Sequence, residues 1–140
     1  MRDARGRMNI GRSYLLLLLI ACAIALSMPS RVSASVVFVS QDDNGREFTL
    51  DRGDALEISL PATSGTGYTW QAEPVTGGIV TQVGDPEFKR DGMMPGAAGR
   101  QVFHFARGTI GGGTLEMHYL RPWEKNTPPA KVFRITLTVR

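Results

Sequence analysis

The sequence predicts an all-β fold, a sandwich of about seven or eight strands. From residue 35 onward the chain consists of short segments in which apolar and polar residues alternate, the period of half-buried strands. No segment repeats apolar residues at the spacing of a helix face, and many of the 16 glycines and 8 prolines lie between the segments as turn signals. Residues 35–140 are enough for one domain with one modest core.

Eight segments carry this pattern, in chain order residues 36–39, 48–50, 56–60, 68–70, 79–83, 101–107, 114–120 and 132–139. After the first of them, Asp-Asp-Asn-Gly at residues 42–45 predicts a turn, because Asn-Gly tolerates positive φ. The last segment alternates most clearly, and its predicted inward residues are Phe133, Ile135, Leu137 and Val139. The expected core is apolar and aromatic, and consists of Phe38, Leu56, Ile58, Leu60, Trp70, Phe103, Phe105, Leu115, Tyr119, Ile135 and Leu137.

Residues 1–34 have the layout of a secretory signal peptide that is cleaved after Ala34. Four arginines lie in residues 1–12, residues 14–28 are uncharged and mostly apolar, and small residues precede the cleavage point. The apolar stretch of about 15 residues is short for a membrane span, which needs about 20. Alternatively, Leu19-Ile20-Ala21-Cys22 is similar to a bacterial lipobox, and lipidation of Cys22 would then be the one contact with a membrane. Both interpretations predict a periplasmic or secreted domain over residues 35–140.

Charge and cysteine content exclude several kinds of partner and chemistry. The formal charge is +3 and the pI about 9.4, but five of the 16 basic and one of the 13 acidic residues lie in residues 1–34. The remainder therefore has 11 basic and 12 acidic groups, a net charge of −1, and no nucleic-acid partner is expected. Cys22 is the only cysteine, so the mature chain lacks a thiol for a disulfide, a metal or a nucleophile.

The sequence predicts no catalytic, metal or cofactor site. His104 and His118 lie within strands and without ligand-spaced Cys, His or carboxylate residues, so we interpret them as exposed or half-exposed strand residues. The glycines at residues 65–67 and 111–113 are not followed by the helix or lysine of a phosphate-binding loop. No Gly-x-Ser-x-Gly nucleophile motif occurs either. We therefore expect neither an enzyme nor a cofactor.

Three connections are richer in residues suited to binding than a turn requires. Residues 61–70 combine small residues with hydroxyl groups and end in two aromatic residues. Residues 91–99 are rich in glycine and carry two adjacent methionines, which suit an adaptable apolar contact. Residues 121–129 begin Arg-Pro-Trp-Glu, which places a tryptophan at the mouth of a turn.

Together these connections resemble the chagasin-type inhibitors of papain-like cysteine peptidases. The matching segments are Gly67-Tyr68-x-Trp70, Gly96-Ala97-Ala98-Gly99 and Arg121-Pro122-Trp123, within a resemblance that covers about residues 48–139. The resemblance implies an immunoglobulin-like β-sandwich in which three loops at one end block the peptidase cleft, reversibly and without a covalent bond. The peptidase-binding residues that it implies are Ser64, Gly65, Thr66, Gly67, Tyr68, Gly96, Ala97, Ala98, Gly99, Arg121, Pro122 and Trp123.

The resemblance also implies roles for individual residues. Trp123 is expected to be a flanking anchor whose approach Pro122 fixes by restricting φ. The hydroxyl of Thr66 is expected to bond to polar groups of the cleft. For Arg121 two roles are open, since it can pair with an acidic group of the peptidase or brace its own loop.

Several positions depart from the family pattern. The family usually reads Asn-Pro-Thr-Thr-Gly-Tyr-x-Trp at the first connection, where this chain has Thr63-Ser64-Gly65-Thr66 before Gly-Tyr-x-Trp. Glycine at position 65 is expected to add backbone freedom and hence an ordering cost on binding. Ala98 replaces a glycine of the second connection, and we expect strain there if the position has positive φ.

Two other functions fit the same residues. A secreted immunoglobulin-like module can use such loops to bind a cell-envelope protein or a carbohydrate, since a fold does not fix a function. A periplasmic enzyme fits less well, because no catalytic constellation is present. Titration against papain or a cathepsin separates the inhibitor from both.

Overall fold

A computed structural model, which describes residues 33–140, shows nine strands in two sheets and confirms the all-β sandwich. The strands are β1 (Val36–Ser40), β2 (Glu47–Leu50), β3 (Ala55–Thr63), β4 (Thr69–Ala72), β5 (Val80–Gln82), β6 (Glu87–Arg90), β7 (Ala98–Arg107), β8 (Gly111–Leu120) and β9 (Lys131–Val139). Short 3₁₀ helices occupy Gln41–Asp43 and Thr76–Gly78. Over residues 33–140 there is no helix long and apolar enough to cross a membrane. The predicted signal peptide, with Cys22, falls outside the described residues apart from its last two positions.

The two sheets have different strand orders. In the five-stranded sheet, β3 pairs in parallel with β1 and antiparallel with β7, and the far edge of β7 is shared by β5 and β6. The four-stranded sheet has the order β2-β9-β8-β4, with β2 parallel to β9. The predicted turn at residues 42–45 is present, with Gly45 at φ +85°, and it carries the chain from one sheet to the other.

The core lies between the sheets and is built from the inward residues of both. Every residue of the predicted core is buried except Phe38. The alternation predicted for β9 is confirmed, because its inward residues are at most 1% exposed and the residues between them face solvent. Each fully buried aliphatic or aromatic side chain contributes about 1.5–3 kcal/mol relative to leaving it in water.

The prediction for Phe38 is wrong. In β1 the register places Val39 beside the buried Ile58, so Val37 and Val39 face the core. Phe38 therefore points outward beside Glu57 and is 69% exposed. Because four apolar residues follow one another in β1, the sequence pattern does not indicate which face of this strand is buried.

The structure has one strand more than the sequence analysis found, since β6 was not predicted. All four residues of β6 are exposed, and the strand lies at the edge of its sheet against residues 99–102 of β7. Backbone pairing also makes several strands longer than their apolar segments. The clearest case is the pairing of β3 with β7, which continues as far as Thr63 opposite Ala98.

Candidate functional site

The strand pairings bring three loops to the same end of the sandwich. We call residues 64–68 the first loop, residues 91–97 the second loop and residues 121–130 the third loop. Thr63, which precedes the first loop, pairs with Ala98, which follows the second. Thr69, which follows the first loop, pairs with Leu120, which precedes the third. The three segments singled out from the sequence are therefore neighbours.

The first loop is shaped by two glycines and one hydroxyl group. Gly65 and Gly67 have φ angles of +82° and +80°, a region that other residues rarely adopt. The Thr66 hydroxyl donates to the Thr63 carbonyl over 2.9 Å and accepts the backbone N–H of Tyr68 over 3.4 Å. The hydroxyl that the sequence analysis assigned to the peptidase cleft thus closes the turn of its own loop.

Trp123 of the third loop lies directly against the first loop. A Cβ atom on Gly67 would overlap Cη2 of the indole and lie 2.8 Å from Cζ2, so only glycine permits this approach. The ring is nevertheless 65% exposed. The Cη2 end of the Trp123 ring therefore contacts the first loop, and most of the side chain is exposed to a partner.

Arg121 joins the third loop to the first. Its Nε atom donates to the Thr66 carbonyl over 3.2 Å, and Nη1 donates to Oε1 of Glu124 over 3.0 Å. The guanidinium carbon also lies 4.5 Å from the centre of the Tyr68 ring, a cation–π distance. The hydrogen bond to Glu124 raises the pKa of Arg121 above its ordinary value. Of the two roles left open by the sequence, the structure shows the internal brace.

Aromatic residues fix the strand ends from which the first loop leaves. The rings of Tyr68 and Trp70 lie 5.3 and 5.0 Å from the ring of Tyr119 in β8. The Tyr119 hydroxyl accepts the backbone N–H of Thr63 over 3.3 Å, and the Trp70 indole N–H donates to the Pro61 carbonyl over 2.9 Å. Both bonds join one sheet to the other, so the residues on either side of the first loop are held in place relative to each other.

The second loop is the tip of the hairpin formed by β6 and β7. The backbone N–H of Asp91 donates to the Ala98 carbonyl over 2.9 Å, and that of Ala97 donates to the Met94 carbonyl over 3.1 Å. Met93 and Met94 are 101% and 77% exposed, so both thioether side chains project into solvent. The loop therefore offers apolar surface beside the first loop.

Most of the predicted site residues lie in the three loops, but two do not. Residues 64–68, 96–97 and 121–123 are in loops, whereas Ala98 and Gly99 are the first residues of β7. Their assignment to a loop is therefore wrong. The reason is that β7 begins three residues before its apolar run, where it pairs with β3 and β6.

Ala98 and Gly99 also differ in what their positions require. Strain was expected at Ala98 only if its φ were positive. Ala98 lies in a strand and its φ is not positive, so the backbone is not strained there. Gly99 is buried, and a Cβ atom on it would lie 2.6 Å from the Lys89 carbonyl oxygen and 2.8 Å from Cζ of Phe88. Glycine at position 99 lets β6 pack closely on β7.

Both histidines have carboxylate neighbours in the structure. Among residues 33–140 no group of three or more His, Cys, Asp or Glu side chains is arranged to hold a metal ion. Both histidines are half-buried, as predicted. His118 lies 2.6 Å from Oε1 of Glu116 and 3.2 Å from Oε1 of Glu73, whereas the nearest carboxylate to His104 is Glu57, at 3.7 Å.

Gln101, which no sequence motif indicated, joins the strands that follow the first and second loops. Its side chain bonds to the Trp70 backbone and the Thr69 hydroxyl. These partners lie 31 and 32 residues away on the opposite sheet, and a glutamine within a strand carries no sequence signal of such a contact. Only the packing of the two sheets reveals it.

Comparisons with known proteins agree with this geometry. Residues 49–137 match the sequence profile of the family described as "Chagasin family peptidase inhibitor I42". Chagasin from Trypanosoma cruzi is 28% identical over 103 residues, which cover 71% of this chain and 94% of chagasin.

Two solved structures share the fold at low sequence identity. The cysteine protease inhibitor EhICP2 from Entamoeba histolytica has a TM-score of 0.68 and 19% identity, covering 81% of this chain and all of its own. Amebosin has a TM-score of 0.60 and 22% identity, covering 77% of this chain and 99% of its own. These structures support an immunoglobulin-like sandwich, and the profile match spans more than half of the sequence. The chain belongs to the chagasin family of peptidase inhibitors.

Proposed function

We propose that this protein is a reversible, non-covalent inhibitor of papain-like cysteine peptidases that occludes the active-site cleft with its three loops. The observation that carries the proposal is that the loops lie at one end of a rigid sandwich and that Trp123 and Arg121 are seated on the first loop. The names of related proteins support it. EhICP2 is described as a cysteine protease inhibitor, and the related PbICP-C was solved in complex with falcipain-2.

The first loop can occupy a cleft without being a good substrate. Attack on a peptide bond requires the reacting atoms to be about 3–3.5 Å apart and correctly aligned. With positive φ at Gly65 and Gly67, the loop backbone turns away from the extended form at both positions. The bonds from Thr66 and Arg121 hold that shape, so little ordering is left for the moment of binding.

Apolar side chains on the flanking loops supply contact area on both sides of the first loop. Trp123 is exposed on one side, and Met93 and Met94 are exposed on the other. Large exposed apolar groups that cluster at one end of a domain are typical of a binding surface. Three loops can bury the roughly 800 Å² per partner that protease–inhibitor pairs use.

Titration of papain with the purified domain, residues 35–140, tests the proposal. We expect inhibition that is competitive with a peptide substrate and fully reversed by dilution, with both masses unchanged in intact-mass spectra of the mixture. A covalent adduct would contradict the non-covalent mechanism. No inhibition at micromolar concentration would contradict the proposal and favour a binding module for a cell-envelope protein or carbohydrate.

We also propose that the protein acts outside the cytoplasm, in the periplasm or secreted. The proposal rests on the arginine-rich, apolar and small-residue order of residues 1–34. Mass spectrometry of the protein purified from its producing cells is expected to give Ser35 as the N-terminus. A diacylated Cys22 would instead show a lipid-anchored protein, and an intact Met1 would contradict export.

A further inference from the structure

We infer that Gln101 is a positioning residue for inhibition, because its side chain fixes the first loop relative to the second. The inference rests on the proposed function, since it concerns how two of the inhibitory loops are held. Gln101 is the fourth residue of β7, so it comes shortly after the second loop. It contacts Thr69 and Trp70, the two residues with which β4 resumes after the first loop.

Both ends of the Gln101 amide are used. The Oε1 atom accepts the backbone N–H of Trp70 over 2.7 Å, and Nε2 donates to the Thr69 hydroxyl over 2.8 Å. β7 belongs to the five-stranded sheet and β4 to the four-stranded sheet. One side chain therefore joins the strand that follows the second loop to the strand that follows the first.

The position of β4 explains why a side chain is needed there. Among residues 33–140, β4 is the edge strand of its sheet and pairs with β8 alone. Because the N–H of Trp70 bonds to Gln101, it points away from β8, toward the edge where no strand of the described part of the chain offers a carbonyl. Trp70 is 1% exposed, and a buried backbone N–H without an acceptor is strongly unfavourable. Gln101 supplies that acceptor from the other sheet.

Different side chains therefore hold different pairs of loops at this end of the sandwich. Arg121 holds the third loop to the first, and Gln101 holds the first to the second. Without the Gln101 side chain, β3 and β7 still pair, but the start of β4 loses the hydrogen bond that fixes its position relative to β7 in the other sheet. The loops would then be less well aligned for simultaneous contact, and affinity depends on that preorganisation.

Two variants of Gln101 and one matched control test this inference. Gln101→Met keeps the length of the side chain and removes both bonds, whereas Gln101→Glu keeps an acceptor for the Trp70 N–H and for the Thr69 hydroxyl. Gln71→Met is the control, because Gln71 is exposed on β4 beside the same residues. We expect Ki for papain to rise about tenfold in Gln101→Met, because the first loop is less well ordered before binding, and to stay within about threefold in the other two.

Two further measurements separate positioning from a purely structural role. All Ki values are taken at a temperature where circular dichroism shows each variant to be folded, and NMR order parameters are measured for the amides of residues 64–68. We expect lower order parameters in Gln101→Met than in Gln71→Met. A destabilised Gln101→Met with unchanged Ki and unchanged order parameters would overturn the inference. If Gln101→Met does not fold, Thr69→Val removes the partner of Nε2 instead, and a Ki equal to that of the unaltered protein would overturn it.

If the unaltered protein does not inhibit papain, the proposed function fails, and the order parameters alone decide the inference. A decrease confined to Gln101→Met would then support the role of Gln101 in fixing the first loop. Equal values in Gln101→Met and Gln71→Met would overturn it.

Discussion

Replacing Gly67 by alanine tests the contact between the first and third loops. Gly67 has φ +80°, and a Cβ atom there would overlap the indole ring of Trp123. Gly65, in the same loop, has nearly the same φ of +82°, but none of the described residues comes within 4 Å of an added Cβ. Gly67→Ala and Gly65→Ala therefore introduce the same backbone strain, but only Gly67→Ala also displaces Trp123.

The size of each effect follows from the structure. A non-glycine residue in the left-handed region costs about 1–2 kcal/mol, and both variants carry this cost. Trp123 is 65% exposed, so about one third of the roughly 150–250 Å² of an aromatic side chain is covered. At about 25 cal/mol per Å² that coverage is worth about 1–2 kcal/mol. We expect Gly65→Ala to lower the free energy of unfolding by about 1–2 kcal/mol and Gly67→Ala by about 2–4 kcal/mol.

Urea denaturation and papain titration measure the two consequences. In the Trp123→Ala background the overlap is gone, so Gly67→Ala and Gly65→Ala should cost the same, which completes a double-mutant cycle. We also expect Gly67→Ala to raise Ki about tenfold or more, because the displaced ring no longer faces the partner. Gly84→Ala is the control for inhibition, since Gly84 has φ +70° and lies outside the three loops. Equal destabilisation by Gly67→Ala and Gly65→Ala in the unaltered background would refute the seating of Trp123 on Gly67.

Three more predictions follow from the loops and from one surface carboxylate. Trp123→Ala is expected to weaken papain inhibition by about 2 kcal/mol or more, and unchanged inhibition would show that Trp123 is not an anchor. Gly65→Thr restores the family residue, yet it is expected to destabilise the fold by about 1–2 kcal/mol and to leave Ki no lower. Hydrogen bonds with His118 and Arg134 hold the pKa of Glu116 below its ordinary 4.5. These bonds therefore stabilise the fold above pH 4.5, and their contribution is lost as the pH falls through the lower pKa of the folded state. In urea denaturation at a series of pH values, the free energy of unfolding of Glu116→Gln should fall less steeply below about pH 4.5 than that of the unaltered protein.

The period of two in the sequence was enough to predict the sandwich, and every predicted core residue except Phe38 is buried. It succeeded where one face of a strand is buried and the other is exposed, as in β9. It was ambiguous in β1, where Val36–Ser40 begins with four apolar residues. It did not predict β6, because a strand whose residues are all exposed has no buried face and therefore no alternation of apolar and polar residues.

The sequence located the loops but not what joins them. Short motifs identify residues that are close along the chain, whereas the joining contacts link residues far apart in it. Arg121 reaches the carbonyl of Thr66 across 55 positions, and Gln101 reaches Trp70 across 31. Their partners are backbone atoms, which every residue has, so no residue type at the other end signals the contact.

The first loop shows why a departure from a family pattern need not loosen a site. Glycine at position 65 was expected to add freedom, but φ +82° is a conformation in which a β-branched residue is an outlier. The turn is closed on one side by the Thr66 hydroxyl and held on the other by Arg121. Gly65 is therefore required by this backbone, and restoring threonine there would strain the turn. If Gly65→Thr instead improved inhibition, the bound loop would have to adopt a backbone conformation different from that of the free protein.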